Sequence, residues 1–138
     1  MYRKLLVAYD GSASSQRAFS ASLELAGLCK AQLIVLSIAT PPQPASEEET
    51  EASVDSSREY FDRQFAGMRQ RADSAGIAAT FETRVGHPSR HIVDHAEQSN
   101  ADLIVIGHRG KGLLGRLVLG SVAKQVIDLA ACPVLVIR

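Results

Sequence analysis

Four stretches of this chain are almost unbroken in Leu, Ile and Val: KLLVAY at 4–9, QLIVLSIA at 32–39, DLIVIG at 102–107 and PVLVIR at 133–138. Strands that read this way are buried on both faces, which happens chiefly in parallel sheets with helices on either side. A fifth run, TFETRV at 80–85, alternates Phe81, Thr83 and Val85 with Thr80, Glu82 and Arg84, the pattern of a half-exposed edge strand. Parallel strands need long crossovers, and the segments between these runs supply them. Residues 12–29 start at a serine cluster in which Ser12 or Ser14 can cap, with Phe19, Leu23 and Ala26 on one face. Residues 46–75 open with Ser46 and Glu49 at capping-box spacing and carry Phe61, Phe65, Met68 and Ala72 at helical intervals, read as core. Residues 89–98 follow Pro88, and residues 121–130 form the last helix. The expected order is β-α-β-α-β-α-β-α-β, one α/β domain over residues 1–138 with a doubly wound sheet.

Length and charge narrow the function classes. A chain of 138 residues buries one core. Lys+Arg and Asp+Glu both number 15, so there is no global basic field for nucleic acid or anionic lipid. No apolar run approaches the ~20 residues that span a bilayer, and MYRKLLVAYDGS reaches Asp10 too soon for the apolar core of a signal peptide. Cys29 and Cys132 are too few to staple a fold and read as buried thiols of a cytoplasmic protein. Cys132 precedes Pro133 and has no nearby His in sequence to activate it as a nucleophile.

The stretch GHRGKGLLGRLVLGS, residues 107–121, holds five of the ten glycines. Gly110, Gly112 and Gly115 match G-x-G-x-x-G, but a dinucleotide unit needs an acid at the end of the next strand, and the next acid, Asp128, belongs inside the last helix. A P-loop fails because Lys111 is followed by Gly112 rather than Ser or Thr. A wider frame fits better: Gly107, two residues, Gly110, nine residues, then Gly120 and Ser121. Gly107 and Gly110 are expected to turn the backbone off the strand and present N–H groups with no Cβ in the way. Gly120 and Ser121 start a helix whose unpaired N–H groups favour an anion. No acid occurs from 103 to 127, while Arg109, Lys111, Arg116 and Lys124 are basic. Polyphosphate binding is one reading; a flexible connection with solvated basic residues is the other.

The same frame resembles the ATP-binding signature of the universal stress protein family. The resemblance spans the chain: LLVAYDGS, LIVLSI, GHP, ADLIVIGHRG, LGSVAKQVI and CPVLVIR occur in order. It implies an open parallel sheet of five strands in the order 3-2-1-4-5 with four helices, and an adenine-nucleotide ligand, ATP, with Mg²⁺ as a possible companion. By resemblance, Gly107, Gly110, Gly120, Ser121 and the backbone of Val122 hold phosphates and ribose. Asp10 lies by the adenosine or the metal-phosphate group, and Ala8 lines the ribose pocket. Ile38 meets adenine through its backbone, and Ile106 faces the phosphates. The spacer residues His108, Arg109 and Lys111 vary among relatives; here Arg109 is read as a phosphate contact and His108 as solvated.

The resemblance implies a nucleotide-dependent stress-response protein rather than an enzyme. Slow ATP hydrolysis or nucleotidyl transfer, and a partner-binding module using AMP, cyclic AMP or no nucleotide, stand as alternatives. Asp10 is the one acid expected near the phosphates, which is thin equipment for phosphoryl transfer. His87, His91 and His95 fall at four-residue spacing; a solvated helix face is expected there and a metal site is not. The strand at 133–138 has no sequence device to protect its edge, and the resemblance implies a homodimer through it.

Overall fold

The structure, a computed structural model, describes residues 1–109 and 118–138. Its elements are β1 (Lys4–Ala8), α1 (Ala13–Cys29), β2 (Gln32–Ala39), α2 (Glu47–Ser74), β3 (Ala79–Val85), α3 (Pro88–Ser99), β4 (Leu103–Gly107), α4 (Ser121–Leu129) and β5 (Val134–Ile137). The strands form one parallel sheet in the order β3-β2-β1-β4-β5, as expected. Element boundaries fall within two residues of those read from the sequence.

The continuous apolar strands are explained by a sheet with two dry faces. Leu5, Val7, Leu33, Val35, Leu103 and Val105 project to one side, where they meet Phe19, Phe61, Phe65 and Met68 of α1 and α2. Leu6, Ile34, Leu36, Ile104 and Ile106 project to the other, against Ile92, Val93 and Ala96 of α3 and Ala123 and Val126 of α4. The alternation of side chains along a strand sorts each apolar run between two layers.

The helices start where their caps dictate. Ser12 caps α1, its hydroxyl accepting the Ser15 N–H at 3.2 Å. Ser46 and Glu49 close a reciprocal capping box on α2. Pro88 occupies the first turn of α3, where its fixed φ is already helical and its missing N–H costs nothing. Asn100 ends α3 in the left-handed conformation that Asn tolerates.

Both edges depart from full burial. Thr80, Arg84 and Val85 of β3 are exposed, and so is Leu135 of β5, because neither strand has a neighbour on its outer side. PVLVIR therefore reads in sequence like a central strand yet occupies an edge. A second departure is α2, whose buried residues begin only at Phe61. Before Phe61 the helix is capped but adds no fully buried residue, and Tyr60 packs against the core only in part. Replacing Ser46 with Ala, at a local cost of about 1 kcal/mol, is expected to speed amide exchange in the first turns of α2 while leaving the global unfolding midpoint nearly fixed. Phe65→Ala should instead lower global stability by about 3–5 kcal/mol in denaturant titration.

Candidate functional site

β1 has β2 on one side and β4 on the other, so the strand order reverses at β1. From the ends of these two strands the chain enters α1 on one face and α4 on the opposite one, and a crevice opens between the departing segments. Its volume is about 670 Å³. Ala8 and Asp10 line it from the end of β1, Ile38 from β2, Ile106 and Gly107 from β4, His108 and Arg109 from the segment that follows, and Gly120, Ser121 and Val122 from the start of α4. The crevice thus gathers every described residue that the sequence placed in the site. Gly110, with Lys111 and Arg116, lies outside the described residues. Pro88 and Ile92 of α3, Thr40 after β2, and Ser12 and Ser15 of the α1 entrance also line it. The GHP stretch was the sequence signal for the α3 contribution; for Thr40 there was none.

The β1 exit is a tightly bonded turn. Gly11 takes φ +84°, a conformation that favours glycine. The Asp10 carboxylate accepts the Ser12 N–H at 2.8 Å. The Ser15 hydroxyl donates to the Ser12 carbonyl at 3.0 Å and accepts the Asp10 N–H at 3.4 Å. This leaves the exposed Asp10 side chain fixed at the mouth of the crevice, where it is the only lining acid among the described residues.

Across the crevice, His108 ties three elements together through its backbone. Its N–H donates to the Ile137 carbonyl of β5 at 2.5 Å, and its carbonyl accepts the Gly120 N–H at 2.9 Å. Gly120 caps α4 without a side chain, so no cap hydrogen bond occupies the first turn. The N–H groups of Ser121, Val122 and Ala123 have no partner among the described residues. Open donors, the positive end of the helix dipole and the Arg109 cation give this side of the crevice the electrostatic character that suits an anion. Apolar Ala8, Leu36, Ile38 and Ile92 line the crevice with them. A ligand with an anionic end and a flat, mostly apolar body matches that division.

Gly107 serves a different need from the turn expected of it. It ends β4 in strand conformation, without a positive φ. A Cβ there would fall 2.5 Å from Ser14 Oγ and 2.9 Å from both the Ser14 carbonyl carbon and the Ser15 nitrogen. The missing side chain admits the first turn of α1.

His91 and His95 sit differently from a solvated face, while His87 is exposed. His95 is largely buried and pairs through Nε2 with Glu82 Oε2 of β3 at 3.0 Å. His87 Nδ1 meets the Ser89 hydroxyl at 3.3 Å, and a Cβ on Gly86 would fall on the His91 ring. His91 and His95 brace α3 against the β3 side. Tyr9, one residue before Asp10, sends its phenol into the opposite layer, where it donates to Gln64 Oε1 at 2.8 Å. Its carbonyl accepts the buried Ser37 hydroxyl at 2.6 Å. Burial pushes the Tyr9 phenol above its ordinary range, with Tyr60 and Asp10 adding to the shift. Cys29 and Cys132 are free and half-buried, and burial likewise raises the Cys132 thiol.

The model of the universal stress protein family matches residues 1–138. This chain belongs to the universal stress protein family. Universal stress protein YxiE of Bacillus subtilis is 31% identical over 148 residues, covering 100% of both chains. Among solved structures, universal stress protein UspA from Lactobacillus plantarum superposes with a TM-score of 0.86 at 28% identity, covering 99% of this chain and 98% of that one. A universal stress protein in complex with cAMP gives 0.76 at 25% identity, covering 99% and 97%. The Archaeoglobus fulgidus protein in complex with dAMP gives 0.71 at 25%, covering 99% and 98%.

Two outcomes test this description of the universal stress protein. Gly107→Ala forces a methyl group against the α1 backbone and should cost about 1–3 kcal/mol in chemical denaturation; an unchanged midpoint would contradict the contact. The raised Tyr9 value means that the unfolded chain releases this proton first. Stability linked to Tyr9 is thus full below pH about 10 and falls as pH rises from there through the folded value. Ultraviolet titration of wild type against Tyr9→Phe should show one late-ionising phenol missing from the variant.

Proposed function

We propose that this universal stress protein binds an adenine nucleotide in the crevice between β1 and β4, with ATP as the preferred ligand. The observation that carries the reading is the uncapped start of α4 facing Asp10 across a crevice with an apolar lining. Solved relatives at 25% identity hold cAMP and dAMP, which supports an adenine nucleotide in this family. ATP is favoured here by the frame Gly107-x2-Gly110-x9-Gly120-Ser121 and by the basic residues around it. In this reading Ala8 and Ile38 face ribose and base, Ile106, Gly107 and Arg109 face phosphate, and Gly120, Ser121 and Val122 hold phosphate and ribose; Gly110, outside the described residues, enters only through the sequence frame. Asp10 is suited to ribose hydroxyls or to a Mg²⁺ ion bound mainly by phosphate and water.

Binding rather than turnover is the proposed role. Asp10 is the one acid among the described lining residues and is assigned here to ribose or metal, whereas efficient phosphoryl transfer asks for a further group that orients the attacking nucleophile. Nucleotide occupancy then acts as a signal to a protein partner. We also propose a homodimer formed through residues 133–138, supported by the open β5 edge and the exposed Leu135. Among the described residues no helix is long and apolar enough to cross a membrane, and the proposed location is cytoplasmic.

The experiment is mass spectrometry of ligand released from freshly purified protein, followed by calorimetric titration of ATP, AMP and cyclic AMP. Wild type should bind ATP most tightly, and Gly120→Val, which fills the crevice at α4, should weaken binding by about tenfold or more. Light scattering on the same samples should give a dimer mass. Absence of nucleotide binding in the wild type would overturn the reading.

A further inference from the structure

Ser14 lies in the first turn of α1, nearly buried at 7% exposure. Its hydroxyl donates to the Arg109 carbonyl at 2.5 Å and faces the Arg109 N–H at 3.4 Å. A serine hydroxyl can donate one bond and accept others, so a single side chain engages both polar groups of one residue's backbone. The Ser12 hydroxyl adds a longer contact to the same carbonyl at 3.4 Å. Arg109 follows β4 and belongs to no strand or helix, and its described backbone partners are these α1 hydroxyls. Its neighbour His108 is held from the other direction, by Ile137 and Gly120. Consecutive residues are thus tied to different elements, Arg109 to the start of α1 and His108 to β5 and the start of α4, and the arrangement closes only because Gly107 lacks a Cβ where Ser14 passes.

We propose that Ser14 is a positioning residue for the phosphate end of the site, acting through Arg109. By fixing the backbone from which the guanidinium projects, Ser14 keeps a flexible cation at the crevice that it lines. A preplaced arginine loses less freedom when it binds phosphate, and affinity rises accordingly. This role rests on the adenine-nucleotide reading of the crevice and assigns function to a residue outside the glycine frame.

The test is a double-variant cycle read by calorimetry with ATP and with adenosine. Ser14→Ala removes only the hydroxyl and keeps a good helix former. It should weaken ATP by about fivefold to tenfold, the effect of one hydrogen bond, and leave adenosine unchanged. Thermal unfolding of each variant checks that the fold is kept. Arg109→Ala should weaken ATP, and adding Ser14→Ala to it should cause no further loss. Equal losses for ATP and adenosine, no loss with ATP, or losses that add in the double variant would overturn the proposal. If the unaltered protein binds neither ATP nor adenosine, the reading of the crevice itself falls, and the role of Ser14 with it.

Discussion

Between Gly107 and the first turn of α1 there is no room for a methyl group, and the upper end of the sheet is arranged around that approach. With α1 so close, Ser14 reaches the backbone of Arg109 and Ser12 caps the helix beside it. The Asp10 turn is held in the same network through Ser12 and Ser15. Steric exclusion at one position thus sets the distance between two adjacent strand exits, and the crevice is the space left between them.

The sheet makes this precision possible because it is dry on both sides. Leu5, Leu6, Val7 and Ile104 are fully buried, and each contributes to the core on its own face. Buried serines inside have partners: Ser22 donates to the Ala18 carbonyl, Ser37 to Tyr9, and Ser89 to Gln125 of α4, whereas the buried Thr83 hydroxyl on the edge strand β3 has none among the described residues. Buried hydroxyls with partners hold elements in register at little cost, whereas unpartnered ones would be destabilising. Ser37 in particular sets the Tyr9 backbone immediately before Asp10 leaves the strand.

Much of this was legible in the sequence because it depended on short-range rules. Apolar runs, Ser46 with Glu49, and Phe61, Phe65 and Met68 at helical intervals declared themselves through periodicity and capping chemistry. The gathering of Asp10, Gly107, Gly120 and Ser121 around one crevice followed from the strand order that the family resemblance implied. What could not be read was long-range. Gly107 looks like a turn glycine until α1 is seen to cross it. His95 looks like an exposed helix residue until Glu82, on a strand with no local relation to it, comes within 3.0 Å.

The two helical layers differ in composition as well as position. The chain has four phenylalanines, three tyrosines and no tryptophan, and Tyr2, Tyr9, Phe19, Tyr60, Phe61, Phe65 and Phe81 all pack into the layer formed by α1 and α2. The α3 and α4 layer is aliphatic throughout. The molecule is therefore optically one-sided: its intrinsic ultraviolet emission comes from one half of the core, and events confined to α3 and α4 are dark. Tyr9 alone bridges that divide, with its ring among the aromatics and its backbone at the rim of the crevice.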